Sequence, residues 1–380
     1  MCAKISVLSK PIYCNSQIDP PFMKKYVLIL LLSPLALCVH AQVDSTATDE
    51  EDFSQYANLE LSGGAKRYCT SKVLGMSPNK LISLGYDYQT AHTLDNTNPN
   101  ETDPKLSTGN ARITAAHGVR VAANFPLLSN TKWLINLGGN YWQTQYDMSS
   151  HTKDNYFVHQ LHHHPLSTLG LNLTVFKPLD DKHFILAFVS ADANGNFVLL
   201  DNQLGNYIER SKYTVVGFYG WKRSDLSMIA VGASRTYRPG ALGIIPLILF
   251  NHTFENRKWG IESLFPARLN VRRSFNPRNL LMFGYELEGN SYSIINRTTG
   301  ASPYGPLELR RSELRPRITY EKSISGFIWL SVQAGYRIAY NFNIDDKDYF
   351  RLIGSDRPYY MENTLGGAFY FNVSLNLVSP

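Results

Sequence analysis

The chain has 380 residues, of which 37 are Lys or Arg, 31 are Asp or Glu and four are cysteine. A net charge of +6 over that length, with only 18% charged residues, gives no electrostatic reason to expect nucleic acid as a partner. No apolar run reaches 18 residues, which excludes an ordinary helical membrane span.

In chain order, the first feature is Met23-Lys24-Lys25, then the apolar run Tyr26 to Leu37, then Val39-His40-Ala41. A basic start, an apolar run of about a dozen residues and a small-residue exit make a secretory signal peptide over residues 1–41. The basic start points to Met23 as the true initiator, with 1–22 a mis-called extension. The rival reading is an acylation box, Leu35-Ala36-Leu37-Cys38, and it conflicts with the large Leu37 where a small residue is normal. Removal of residues 1–41 takes three of the four cysteines and leaves Cys69, so no internal disulfide forms. It also takes four lysines and one aspartate, which leaves 33 basic against 30 acidic residues. Residues 42–56, with Asp49-Glu50-Glu51-Asp52, read as an acidic periplasmic linker ahead of a single domain, 57–380.

Beyond the linker there is no long amphipathic helix. Segments of about ten residues alternate apolar and polar and end in Gly, Pro, Asn or Asp, as β-strands do. Ile82 to Tyr88, Trp133 to Tyr141, Leu169 to Val175 and Phe369 to Leu377 are the clearest. The fourteen strands expected are 57–66, 80–90, 108–124, 131–146, 161–176, 182–198, 211–222, 226–236, 243–254, 257–272, 279–294, 308–322, 326–341 and 363–377.

A soluble sandwich also alternates, so the choice turns on the second face. Here that face is rich in Gly, Ser, Asn, Gln and Thr, as a crowded lumen requires. Tyr86, Tyr88, Tyr141, Trp142, Tyr219, Trp221, Trp259 and Trp329 fall near strand ends, where an interfacial girdle would sit. Connections are short, as at 276–279 and 323–326, or long, as at 91–107, 295–306 and 341–362. The fold class is therefore all-β, an antiparallel transmembrane β-barrel of 12 to 14 strands in the outer membrane. One inconsistency stands: alternating the short and long ends from either terminus assigns 255–258 to opposite sides. One element between 226 and 275 is then miscounted, or an outer turn there is unusually short.

The presequence, the acidic linker and the alternating strands resemble an outer-membrane β-barrel family of Gram-negative envelopes known only as a domain of unknown function. The stretches that carry the likeness are Arg238 to Pro246, Trp259 to Pro266 and Gly284 to Gly289. The resemblance implies a location and a fold, with outer-membrane lipid and the barrel assembly machinery as partners, and no activity. The chain ends Leu377-Val378-Ser379-Pro380, without the terminal aromatic common in such barrels.

With Ile261, Leu269, Val271, Tyr285, Leu287, Ile318 and Tyr320 facing lipid, the same strands turn Glu262, Arg268, Arg272, Glu286, Glu288, Arg315 and Arg317 inward, and Arg337 joins them. Charge is costly on the lipid face, so these eight are expected in the lumen, as a salt-bridged plug or as a selectivity filter. Pro246 and Pro266 break the ladder within apolar strands; they mark bulges of the wall or a lateral opening for an apolar ligand. His159, His162, His163 and His164 are a weak candidate for a metal site, because no cysteine or carboxylate lies at ligand spacing. Ser167 near His164 is no basis for a hydrolase, and Gly138-Gly139 and Gly366-Gly367 are not phosphate loops. No cofactor and no enzymatic activity are expected. Two functions remain: passage or carriage of small solutes or apolar molecules, with an unidentified small-molecule ligand, or a structural component of the outer membrane with a plugged lumen.

Overall fold

The structure, a computed structural model, describes residues 68–97, 109–151, 155–199, 204–238, 241–296, 307–346 and 359–379. The signal segment, the linker and the strand expected at 57–66 lie outside those residues.

The elements run β1 (Lys80–Gln89), β2 (His92–Thr97), β3 (Gly109–Ser129), β4 (Leu134–His151), α1 (Tyr156–His163), β5 (Leu166–Pro178), β6 (His183–Gly195), α2 (Leu204–Ile208), β7 (Lys212–Ser224), β8 (Ser227–Arg238), β9 (Ala241–Thr253), β10 (Trp259–Phe265), β11 (Arg268–Asn276), β12 (Asn279–Ile294), β13 (Leu307–Ser325), β14 (Ile328–Asp346), β15 (Glu362–Leu365) and β16 (Ala368–Val378). From β3 to β14 each strand pairs antiparallel with the next; β16 pairs with both β14 and β1, and β1 with β3 closes the ring. β1 and β2 form one stave interrupted at residues 90–91, and β15 and β16 another interrupted at 366–367. The result is a closed antiparallel barrel of fourteen staves. No helix among the described residues is long and apolar enough to cross a membrane.

Alternation sets the burial, and sets it inside out. On β16, Phe369, Phe371, Val373 and Leu375 are 46–60% exposed, while Tyr370, Asn372, Ser374 and Asn376 are buried. On β13, Ile318 and Tyr320 are exposed while Arg315, Thr319 and Glu321 are buried. A soluble sandwich does the opposite and hides its apolar face. Arg272 and Arg337 are among the largest fully buried side chains.

Three expectations need correction. The span 257–272 is two strands, β10 and β11, turned at Pro266-Ala267, which removes the inconsistency in strand parity. Residues 254–258 then lie at the short-turn end, and two short connections fall at the other end, the β10–β11 turn and the step from Arg238 to Ala241 between β8 and β9. The ring has fourteen staves with this extra strand counted, and the strand expected at 57–66 lies outside the described residues. The expected strand 161–176 begins instead as helix α1, since Asn155 caps it by accepting the Val158 N–H at 3.1 Å and Phe157, Val158, Gln160 and Leu161 fall on its buried face. Trp142 and Trp329 do not belong to an outer girdle: Trp142 faces the lumen beneath Arg120, and Trp329 is buried with Leu280 and Val378.

Candidate functional site

The functional site is the lumen, because every buried charge converges there. On β13 the inward positions Arg311, Glu313, Arg315 and Arg317 alternate with residues of the outer face. Glu313 accepts from Arg311 Nε at 2.8 Å and from Arg315 Nη2 at 2.9 Å, and Arg337 Nη1 from β14 lies 3.7 Å from it. Arg315 also reaches Glu288 of β12 at 2.8 Å, and Arg120 of β3 bridges Glu288 at 3.3 Å and Asp87 of β1. Arg317 pairs with Glu286. Arg120 stacks on Trp142 with 4.7 Å to the ring centroid, and Arg315 on Tyr370 with 5.3 Å. Five staves thus contribute to one lattice, in which each guanidinium meets a carboxylate.

A cavity of about 340 Å³ lies beside this lattice, walled by Asp87, Arg120, Trp142, Glu288, Arg315 and Tyr370 among others. Lys80 also lines it, and also lines two further cavities of about 270 Å³ each beside residues 71–79.

Both ends of the lumen are filled. At the short-turn end the stretch before β1 packs inside: Cys69 and Val73 are buried among Phe176, Phe184, Phe218 and Met228. Cys69 N–H donates to Asp180 O at 2.9 Å, Lys222 Nζ donates to Lys72 O at 2.8 Å, and Ser77 donates to Glu262 through both its N–H at 2.9 Å and its hydroxyl at 2.6 Å. Burial pushes the Cys69 thiol pKa up, which suits an inert packed side chain. Glu262 in turn holds Arg272 at 3.0 Å, and Arg272 Nη2 donates to Thr253 at 2.9 Å. Gly75, at φ +76°, makes the left-handed bend that brings the segment against Thr253. At the opposite end α1 seats Phe157, Val158 and Leu161 among Ile113, Tyr146, Leu309, Phe342 and Ile344.

Of the eight charges read from the sequence, Glu262, Arg272, Glu286, Glu288, Arg315, Arg317 and Arg337 are inward and ion-paired. They form two groups, Glu262–Arg272 beside the inner plug and the rest in the mid-lumen lattice. Arg268 shares their parity but is exposed at the end of β11, with no ion pair among the described residues. Sequence reasoning missed Asp87, Arg120, Arg311 and Glu313; all four occupy the polar parity of strands it had placed, and the same alternation would have found them. Neither proline makes a bulge. The β8–β9 register runs unbroken through Pro246, and Pro266 sits in the β10–β11 turn. The histidines lie on α1 and after it, with His159 and His163 rings 4.4 Å apart and His162 and His163 rings 4.8 Å apart. Burial and the neighbouring imidazoles lower the His159 pKa. No group of three or more His, Cys, Asp or Glu among the described residues is arranged to hold a metal ion. Ser167 is buried and its hydroxyl donates to Phe197 O at 2.6 Å.

A family described as a domain of unknown function (DUF6268) matches residues 82–378. No curated protein matches the chain. Among solved structures, the COG4313 outer membrane channel from Pseudomonas putida F1 is similar at 11% identity over 82% of this chain and 100% of that one, with a TM-score of 0.36. The P. putida toluene transporter TodX is similar at 8% identity over 82% and 94%, TM-score 0.32. The outer membrane protease OmpT from Escherichia coli is similar at 11% identity over 82% and 100%, TM-score 0.29.

Proposed function

We propose, for a chain that belongs to the DUF6268 family of unknown function, that it is an outer-membrane barrel which admits a small charged or zwitterionic solute to its mid-lumen cavity. The short-turn end faces the periplasm on this reading, as short turns do in bacterial barrels. The exposed apolar outer face supports lipid as its surroundings, because a wall of paired strands satisfies its own backbone in hydrocarbon. The observation that carries the proposal is the cavity itself: about 340 Å³ walled by side chains of both signs, with Lys80 shared between it and the cavities beside the inner plug. Such a volume and such convergent polar groups suit a small ligand. The inner plug is held by two buried side chains, Cys69 and Val73, and a few polar contacts, and reads as the gate; the outer plug, built on the larger apolar cluster around α1, is the firmer closure.

A second reading, a structural barrel with a permanently plugged lumen, is favoured by the buried apolar cluster around α1. Single-channel conductance of the refolded chain in planar bilayers separates them. The expected result is steady conductance whose ion selectivity shifts toward anions in Glu286→Gln and toward cations in Arg317→Gln. Silence from protein shown to be inserted and folded would overturn passage and leave the structural reading.

A further inference from the structure

The wall is incomplete on one side. β10 has seven residues and β11 nine, while β9 and β12 on either side have 13 and 16. Seven residues rising ~3.4 Å each and tilted ~40° climb about 18 Å, short of the apolar band of about 25 Å that a barrel presents to lipid. The ladder says the same. β9 pairs with β10 only from Ile248 down to Thr253, so Ala241–Leu247 is bonded to β8 alone. β12 pairs with β11 only as far as Glu286, and after Leu287 N–H donates to Ala267 O at 2.7 Å the stretch Glu288–Tyr292 is bonded to β13 alone. Above that level β12 stays paired with β13 as far as Ile294, and its Ser293 also pairs with Gly195 of β6.

The side chains at this gap behave accordingly. Ile245 has the inward parity of Leu247, which is 8% exposed, yet it is 47% exposed; its outward neighbour Ile244 is 71% exposed. Both faces of β9 are bare where β10 stops. Pro246 lies in this singly paired stretch, the place in a sheet where a missing amide does least harm. Pro266 turns the hairpin that ends too soon. At its lip stands Arg268, exposed, with inward parity; its cross-strand partner Glu286 is engaged by Arg317, and Glu262 by Arg272.

We propose that this gap between β9 and β12 is a lateral portal for a single-chain anionic amphiphile of the long-chain carboxylate class. Its tail enters from the outer leaflet along Ile244, Ile245 and Leu287, and its head meets the Arg268 guanidinium, whose planar fork fits a carboxylate. The inference rests on the membrane placement proposed above but not on the mid-lumen solute.

The test is binding of 16-doxyl-stearate to the full chain in phosphatidylcholine vesicles, read as the immobilised fraction of the spin-label spectrum. Oleate is expected to displace the probe, and oleyl alcohol to do so poorly. Loss of one charge-assisted contact weakens binding by about 10- to 100-fold, so Arg268→Gln should lose affinity on that scale and Ile245→Asp should also lose it, while Arg273→Gln at the short-turn rim binds as wild type. Heat-modifiable gel mobility confirms that each variant is folded. No immobilised probe in the wild type, displacement by the alcohol equal to that by oleate, or unchanged binding in folded Arg268→Gln overturns the portal. Stearate binding by a chain that conducts no ions would sink the solute reading and leave the portal, and conduction without stearate binding the reverse.

Discussion

Glu313 is the residue on which most of the lumen's charge converges. It is fully buried and faces Arg311, Arg315 and Arg337, themselves 0–5% exposed. Removing one partner from a buried ionic group strands the others, at a cost of about 3–5 kcal/mol. Glu313→Gln should therefore destabilise the refolded barrel by that free energy, read from its urea titration. The Glu286→Gln change, at a carboxylate whose side chain is 39% exposed, should cost under about 1 kcal/mol. The comparison is informative because both residues are glutamates on the lumen face and differ in burial. At the short-turn rim Asp180 accepts from the Lys182 and His183 amides at 2.7 Å each and from the His183 ring, and these bonds hold its pKa at about 2 against an ordinary 3.8. A depressed carboxylate contributes stability that is present above its ordinary value and lost as pH falls through the folded one. Thermal midpoints should owe nothing to this turn's titration above pH 4 and should fall below it, and Asp180→Asn should remove that acid limb.

At the scale of elements, two short helices do what the strands cannot, and fill the outer end. α1 depends on its Asn155 cap, and Asn155→Ala should cost about 1 kcal/mol. Its signature is faster amide exchange at Phe157 to Leu161 while β16 keeps its protection, because the plug opens locally before the barrel does. The β6–β12 contact depends on Gly195, where an added Cβ would lie 2.2 Å from the Tyr207 ring and 2.9 Å from Ser293 O. Gly195→Val should push β12 and α2 away and destabilise by about 1–3 kcal/mol, read in the same urea titration. His159 to His164 show why local sequence misled here. A run of polar histidines after an alternating strand resembles more strand, and only the spacing of Phe157, Val158 and Leu161 announces a helix, over too few residues to be decisive.

For the whole molecule, the decisive arrangement is a barrel filled at both ends. The outer plug is the apolar cluster around α1; the inner plug is the stretch before β1, seated by Cys69 and Val73 and tied by Ser77 to Glu262 and by Lys222 to Thr70 and Lys72. A segment that seats only Cys69 and Val73 in an apolar cluster releases more easily than the larger apolar cluster around α1. Ser77→Pro removes both bonds to Glu262, and single-channel recordings should then show larger or longer openings than wild type. A trace identical to wild type would mean that the inner segment is not the gate.

Alternation in the sequence determined the barrel, its inside-out burial and the inward parity of the charges, since a period of two leaves each residue only one of two faces. It turned the named charges inward and left open whether they pair or line a filter; the structure pairs seven of the eight. The partners come from staves far apart in sequence: Asp87, Arg120, Glu288 and Arg315 meet only because the ring closes. The same holds for the prolines. The sequence marked Pro246 and Pro266 as faults in the ladder, and tertiary structure alone put Pro246 on the edge of a gap and Pro266 at its floor, because a short hairpin is visible only once its neighbours are in register.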